Sequence, residues 1–95
     1  MRVISRKALK VFAARHKDAE TSLDTWYRIA KQATWSNITE VRKVYPHADA
    51  VGKFTVFNIR ANHYRVITEI NYERQKIYIR NVLTHSQYDQ GTWKK

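Results

Sequence analysis

The spacing of apolar residues changes near the middle of the chain, from a helical period to the pattern of strands. A possible strand at residues 1–4 is followed by apolar stripes at helical spacing, which predict three helices, over about 6–16, 21–33 and 36–44. β-Branched and aromatic residues then predict three strands, over 54–59, 64–70 and 76–82. Short connections favour antiparallel hairpins between them. This order of elements predicts an α+β fold, with an N-terminal strand and two to three helices packed on one face of a small antiparallel sheet.

The hairpin register predicts which strand residues share a face. If the first hairpin turns about the Ala61–Asn62 bond and the second about the Glu73–Arg74 bond, Arg65 lies opposite Asn58 on one side and opposite Val82 on the other. Arg80 then lies opposite Ile67. Because opposed residues share a face, one face is expected to carry Val56, Asn58, Arg65, Ile67, Glu69, Lys76, Tyr78 and Arg80. The other face is a core layer for the helices to cover, expected to hold Thr55, Phe57, Ile59, Tyr64, Val66, Thr68, Ile70, Ile77, Ile79 and Asn81.

Length and composition exclude several classes of protein. The 95 residues are expected to form one domain over 1–95, with a modest core. The absence of cysteine removes disulfides, zinc–cysteine sites and thiol nucleophiles. The four histidines are scattered without metal-ligand spacing, so neither a metal nor a cofactor is expected. No apolar stretch approaches the length of a membrane span and no signal peptide is evident, which favours a cytoplasmic protein.

Charge suggests a polyanionic partner. Eighteen basic against eight acidic residues give a formal net charge of +10. No acidic residue occurs over 50–68 or over 74–88, so the unbalanced basic charge falls on the predicted strands. Nucleic acid is the leading partner, and an anionic membrane or an acidic protein is the alternative.

The segment 76–89 carries the side chains with the most chemical capacity. Arg80 lies in the predicted strand, and His85, Tyr88 and Asp89 follow it on a predicted loop. A fixed cation beside an imidazole and a phenol suits chemistry on a phosphate. Arg65 and Arg80, on adjacent strands, are expected to grip one phosphate between them. The alternative is a structural array in which Glu69 pairs with one of the arginines. The tail over 90–95 is expected to fray unless Trp93 folds back.

Over essentially its whole length the chain resembles the HigB toxins of bacterial toxin–antitoxin systems, in the RelE-like superfamily of ribosome-dependent mRNA interferases. The resemblance rests on Val3-Ile4-Ser5-Arg6-Lys7-Ala8-Leu9, Val56-Phe57-Asn58-Ile59, Asn62, Arg65-Val66, Gln75-Lys76, Tyr78-Ile79-Arg80 and above all Thr84-His85-x-x-Tyr88-Asp89. It implies the RelE-like fold, cleavage of mRNA in the ribosomal A site, and neutralisation by a HigA-like antitoxin with a helix-turn-helix domain. The free toxin is expected to be a monomer that forms a hetero-oligomer with its antitoxin.

Cleavage of this kind needs no metal, because the RNA 2′-OH can attack the adjacent phosphorus and leave a 2′,3′-cyclic phosphate. Arg65 and Arg80 are the expected stabilisers of the phosphorane. His85 is the expected proton carrier, since the ordinary pKa of imidazole lies near working pH. Tyr88 is expected to stack on a base or donate a hydrogen bond to phosphate. The residues expected to hold the RNA backbone are Lys53, Asn58, Arg60, Asn62 and Lys76.

Two other functions remain open from the sequence. One is a non-catalytic RNA- or DNA-binding module that uses the same basic face. The other is a gyrase-directed toxin within the same superfamily, against which the His85-x-x-Tyr88 motif argues.

Overall fold

The computed structural model describes residues 1–94 as four α-helices and one five-stranded sheet. The strands are β1 (Arg2–Ile4), β2 (Asp49–Val51), β3 (Phe54–Ile59), β4 (Tyr64–Asn71) and β5 (Lys76–Thr84). The helices are α1 (Arg6–Arg15), α2 (Glu20–Gln32), α3 (Ile38–Val44) and α4 (His85–Gln90). Single 3₁₀ turns occupy Lys17–Ala19 and Thr92–Lys94. The predicted α+β fold is confirmed. Within residues 1–94, no helix has the length and apolarity needed to cross a bilayer.

The strands lie in the order β1-β5-β4-β3-β2. The pairs β2–β3, β3–β4 and β4–β5 are antiparallel, as hairpin connections require. β1 pairs with β5 in parallel, so the sheet is mixed rather than wholly antiparallel. Strand β2 and helix α4 are additions that the sequence pattern did not predict.

Helices α1, α2 and α3 bury one face of the sheet, where aromatic rings form the centre of the core. Trp26 of α2 and Phe57 of β3 are fully buried, with ring centroids 5.3 Å apart in an edge-to-face arrangement. Tyr45 meets Phe57 in the same manner at 5.4 Å, and the Trp35 ring lies 6.1 Å away. Such pairs add stability beyond their buried area. The predicted core layer on β3, β4 and β5 occupies this face, with Asn81 as its exception.

The opposite face carries a second, smaller apolar cluster that the C-terminal segment covers. Phe54, Val56, Ile67 and Trp93 are buried there, with Leu83 and Tyr88 packed against them. Of the two outcomes expected for the tail, fraying is wrong for residues 90–94 and the alternative is confirmed, since Trp93 folds back and is only 7% exposed. Lys95 lies outside the described residues. The folded-back segment places α4 on the same face of the sheet as Arg65 of β4.

A bulge in β5 changes the predicted register halfway along the strand. Asn58 lies opposite Arg65, as predicted. Pairing of β4 with β5 shifts by one residue between Ile67 and Thr68, so that Arg65 opposes Leu83 and Ile67 opposes Asn81. The predicted opposition of Arg65 to Val82 and of Arg80 to Ile67 is therefore wrong.

The physical reason for the shift is that β5 holds one residue more than β4 at this point, since Arg80 has no ladder partner. Asn81, as the partner of Ile67, shares by register the face of Ile67 rather than that of the helix-covered core, which corrects its predicted face. The residue that replaces it beneath the helices is Val82, which is partly buried against the larger cluster.

Candidate active site

Arg65 is the centre of a hydrogen-bonded cluster at the end of β4. Its side chain is nearly buried, and the residue is only 6% exposed. One terminal nitrogen, Nη1, donates to the carbonyl oxygens of Asn62 at 3.0 Å and Tyr64 at 3.2 Å. The other, Nη2, donates to the Asn62 side-chain oxygen at 2.8 Å. The β3–β4 turn makes this possible, because Arg60 and Ala61 adopt left-handed backbone angles that fold Asn62 back over the strand.

His85 completes the contacts of Arg65. Arg65 Nη2 lies 3.2 Å from His85 Nδ1. A guanidinium group can only donate, so Nδ1 is the acceptor and the imidazole proton resides on Nε2. Nε2 in turn lies 3.2 Å from Asp89 Oδ2 and donates to it. Arg65, His85 and Asp89 thus form a chain of contacts that fixes the tautomer of an imidazole whose side chain is 48% exposed.

The helix α4 places these side chains, where the sequence predicted a loop. Thr84 accepts from the Gln87 backbone, and the Gln87 side chain accepts from the Thr84 backbone, forming a capping box. Gly91 ends the helix in a left-handed conformation with φ 74°. Residues three and four apart lie on one helical face, which explains why the spacing of His85, Tyr88 and Asp89 brings them together. The Thr84-x-x-Gln87 pattern was the sequence signal for this helix.

Tyr88 is held between neighbours on the same face. Its ring centre lies 5.0 Å from the Arg65 guanidinium carbon and 5.1 Å from the Trp93 ring, which stacks at 15°. The Trp93 indole nitrogen donates to the Tyr88 carbonyl at 2.9 Å. Burial, followed by the charge of Asp49, raises the pKa of the Tyr88 hydroxyl above its ordinary value. The phenol therefore keeps its proton at neutral pH and is a hydrogen-bond donor.

Arg80 forms a separate cluster on this face of the sheet. Its Nε lies 3.1 Å from Glu69 Oε1, and its guanidinium carbon lies 5.0 Å from the Tyr78 ring centre. Lys53 approaches the same Glu69 oxygen at 3.7 Å. Two cations share one carboxylate, so a net positive charge remains on exposed side chains. The structure does not show a contact of Arg80 with Arg65 or His85, and the ion pair with Glu69 is the alternative that the sequence left open.

The other residues expected to hold RNA are dispersed. Asn58 lies beside Arg65, and Asn62 is one of its acceptors. Arg60 lies 2.8 Å from Asp18, which also accepts from the Tyr64 hydroxyl at 2.6 Å. Lys76 lies at the opposite end of β5 from His85, about 25 Å away along the strand. The site therefore contains Asn58 and Asn62, while Lys76 is remote from it.

The contact with Asp18 gives Arg60 a structural role in this conformation. The hydrogen bond from Tyr64, and after it the charge of Arg60, hold the pKa of Asp18 below its ordinary value. A carboxyl with a lowered folded-state pKa contributes stability above its unfolded pKa, and that contribution is lost as pH falls through the folded value. Arg60 thus helps to fix the turn that positions Asn62.

Sequence reasoning missed the role of two residues in this site. Trp93, for which folding back was expected only as an alternative and without a role in the site, stacks on Tyr88, and the Asn62 side chain binds Arg65. Both depend on turns of the backbone that no periodicity encodes. In the described part of the chain, no group of three or more histidine or carboxylate side chains is arranged to hold a metal ion.

Comparisons with known proteins agree on one family. A protein-family model described as HigB toxin, the RelE-like toxic component of a toxin–antitoxin system, matches residues 19–91. The chain is 33% identical over 92 residues to the mRNA interferase toxin HigB of Escherichia coli K12, covering 94% of this chain and 88% of that protein. The same values hold for mRNA interferase HigB of Shigella flexneri. Identity to mRNA interferase HigB of Escherichia coli O6:H1 is 26% over 95 residues, covering 97% and 92%.

Proposed function

The chain belongs to the HigB toxin family of RelE-like toxic components of toxin–antitoxin systems, and we propose that it is an mRNA interferase, a ribosome-dependent endoribonuclease. The names of its relatives support this activity. The observation that carries it is the contact chain Arg65–His85–Asp89, which presents an oriented imidazole on the face of the sheet that also carries the basic side chains of Arg80 and Lys53.

His85 acts as the general base in this proposal. Its Nδ1 lone pair, which accepts from Arg65 in the free protein, takes the proton of the RNA 2′-OH as the oxygen attacks the adjacent phosphorus. Asp89 accepts from Nε2 and stabilises the imidazolium that forms, as the carboxylate of a catalytic triad does. Asp89 is therefore a positioning residue. Its negative charge stabilises the His85 imidazolium, which exists only during the reaction.

Arg65 stabilises the developing charge. When the 2′-OH displaces it from Nδ1, the Nη2 hydrogen becomes free to donate to a phosphoryl oxygen a short distance away. Its remaining hydrogen bonds hold the guanidinium in place, so no reorganisation is needed as the phosphorane forms. The Tyr88 hydroxyl, which is protonated before the reaction, passes its proton to the 5′-oxygen as the P–O5′ bond breaks, and the proton taken by His85 returns to the phenolate through solvent. The products are a 2′,3′-cyclic phosphate and a 5′-OH.

Arg80 and Lys53 hold the RNA backbone on the same face. Their side chains are 45% and 70% exposed, and Glu69 neutralises only one of the two charges. Bound phosphate oxygens would replace the carboxylate of Glu69 as acceptors, or share with it the hydrogens that Arg80 and Lys53 donate. Asn58 and Asn62 contribute to RNA binding at the end of this surface where Arg65 lies. Arg60 and Lys76 contribute to binding outside the reacting centre.

The rest of the proposal concerns the substrate, the antitoxin and the cellular compartment. We assign the substrate to mRNA in the ribosomal A site, in the cytoplasm, without a metal or cofactor in the chemical step. A HigA-like antitoxin with a helix-turn-helix domain neutralises the toxin, which is monomeric when free and part of a hetero-oligomer when bound.

Primer extension on mRNA from cells that express the chain tests the activity. The expected result is new 5′ ends at fixed positions within codons of translated messages. The same message with its start codon removed is the control, and it should remain intact because cleavage requires translation. Translation arrest without new 5′ ends would replace this proposal with the non-catalytic binding module, and altered DNA supercoiling without cleavage would replace it with the gyrase-directed toxin.

Trp93 is expected to support the reaction through Tyr88. Trp93→Ala removes both the stack and the indole hydrogen bond, so Tyr88 loses its fixed position over Arg65. We expect the rate of cleavage to fall about 10- to 100-fold with a smaller change in KM, measured on programmed ribosomes below the unfolding temperature of the variant. Trp93→Phe keeps an aromatic stack and should restore most of the rate. Full activity of the folded alanine variant would remove Trp93 from this role.

A further inference from the structure

A groove at the outer edge of β5 has no role in the proposed chemical step, although Arg80, which is assigned to the RNA backbone, is one of its lining residues. It lies between α1 and the outer edge of β5 and has a volume of about 540 Å³. Its lining consists of Ser5, Lys7, Ala8, Val11, Phe12, Arg15, Arg80, Asn81 and Val82. This lining contains cations and apolar side chains but no carboxylate.

One wall of the groove is an open strand edge. β1 pairs with β5 only as far as Tyr78, and no strand among residues 1–94 pairs with the outer edge of β5 beyond that point. The backbone groups of residues 80–84 on this side are available to another chain, since an unpaired edge is a template for strand addition.

The other wall is a stripe along α1 whose residues are four apart. Lys7, Val11 and Arg15 follow one another at this spacing and share one side of the helix. Val11 is 49% exposed, one of the two large hydrophobic residues so exposed in the described chain. Neither Lys7 nor Arg15 forms an ion pair with a described residue. The stripe is thus an apolar centre with an uncompensated cation on each side.

We propose that this groove is the docking site for an extended, acidic segment of the antitoxin, which adds to the edge of β5 as a strand. Lys7 and Arg15 are about 12 Å apart along the helix axis. Residues i and i+4 of a strand are about 13 Å apart and point the same way as residue i+2. The segment is therefore expected to read acidic–x–apolar–x–acidic, with its carboxylates on Lys7 and Arg15 and its apolar side chain on Val11.

The wall chemistry favours a protein over RNA as the occupant. Exposed Val11 and the apolar side chains of Ala8, Phe12 and Val82 gain from contact with another apolar group, and phosphate offers none. Beyond the bulge at Arg80, the edge of β5 presents backbone donors and acceptors over residues 81–84, which an extended peptide backbone can pair with. The inference rests on membership of a toxin–antitoxin family. It does not require the nuclease proposal, because Arg80 is the one lining residue assigned to RNA, and Lys7, Val11 and Arg15, on which the inference depends, have no role in that proposal.

Photo-crosslinking in the purified complex with the co-expressed antitoxin tests the occupant. With p-benzoylphenylalanine in place of Val11, the cross-linked antitoxin peptide is expected to contain the acidic–x–apolar–x–acidic pattern. The matched control carries the same group in place of Val44, the other exposed large hydrophobic residue, and should give no such product. A complex that forms without a cross-link at position 11, or a position-11 cross-link to a segment without acidic residues, would overturn the proposal, as would cross-linking to ribosomal RNA in preference to antitoxin.

Paired charge reversals test whether Lys7 and Arg15 attract the acidic segment of the antitoxin. Lys7→Glu with Arg15→Glu should raise the Kd for the antitoxin at least tenfold and abolish its rescue of growth. Lys10→Glu with Lys17→Glu imposes the same change of net charge on exposed residues outside the groove and should leave the Kd within twofold. Equal weakening by both pairs would show a general effect of charge and reject the groove. Toxicity without antitoxin should persist in both, which separates this result from any failure of the nuclease proposal.

Discussion

Replacing His85 by alanine is expected to abolish cleavage of translated mRNA and the growth arrest that follows from it. The variant loses the base that takes the 2′ proton, a contribution typically worth about 10²- to 10⁴-fold in rate. The fold should survive, because the imidazole is half exposed and its hydrogen-bond partners are Arg65 and Asp89 alone among the described residues. Single-turnover cleavage on programmed ribosomes measures the loss, and circular dichroism verifies the fold.

His47→Ala is the matched control for this experiment. His47 is also exposed but lies between α3 and β2, away from Arg65. Its removal should leave the rate of cleavage unchanged. If the His85 variant cleaved at the rate of the parent chain, the imidazole could not be the base, and the proposed division of roles in the site would fail.

Replacing Arg65 by lysine is expected to cause a loss nearly as large, although the charge is conserved. An ammonium group cannot span the acceptors that Nη1 and Nη2 reach together, so the cation would no longer be fixed beside His85. Loss of one oriented donor to a phosphorane costs about 3 kcal/mol, or about 100-fold in rate. The effect should fall on kcat, since the contact to phosphate forms only as the reaction proceeds.

Arg80→Lys is the comparison that distinguishes position from charge. Arg80 lies in an exposed ion pair with Glu69, where lysine can substitute with little change in the free energy of unfolding. Its effect should be a modest rise in KM. Equal losses of kcat in the Arg65 and Arg80 variants would instead favour the original expectation that both guanidinium groups grip the same phosphate.

Local patterns were sufficient for most of the fold. The apolar stripes of α1, α2 and α3 and the runs of β-branched residues in β3, β4 and β5 place each element within about two residues of its observed ends. The first hairpin register was also predictable, because its loop is short and its core residues alternate without interruption. These features depend on neighbours in sequence, which periodicity reports directly.

The features that remained hidden depend on contacts between distant segments. The bulge at Arg80 cannot be recognised from the alternation of β5, because both registers give plausible faces and only the packing of Val82 beneath the helices selects one. The parallel β1–β5 pair joins the two ends of the chain, which no hairpin signal reaches. Helix α4 was not predicted, because its six residues are too few to form an apolar stripe. Its capping box, formed by Thr84 and Gln87, was the one local signal for it.

The candidate site was predictable in its members and less so in its geometry. Arg65, His85 and Tyr88 were identified from residue type and position, and the structure brings them together. Arg80 was placed beside them by a register that the bulge displaces, and Glu69 holds it instead. The sequence therefore indicates which chemistry is present, and the bulge and the β3–β4 turn determine which side chains meet.

The additional residue in β5 makes the length of this strand a determinant of the site. Arg80 takes up one position without a partner, and Asn81, Val82 and Leu83 then pair with Ile67, Val66 and Arg65. Loss of the single codon for Arg80 would leave those three pairs in place, because it removes only the unpaired residue. Gain of one codon between Asn81 and Leu83 would instead reverse the side to which every later side chain projects and carry His85 away from Arg65. A cell poisoned by this protein thus has a genetic escape of three added nucleotides, and it leaves the identity of Arg65, His85, Tyr88 and Asp89 untouched.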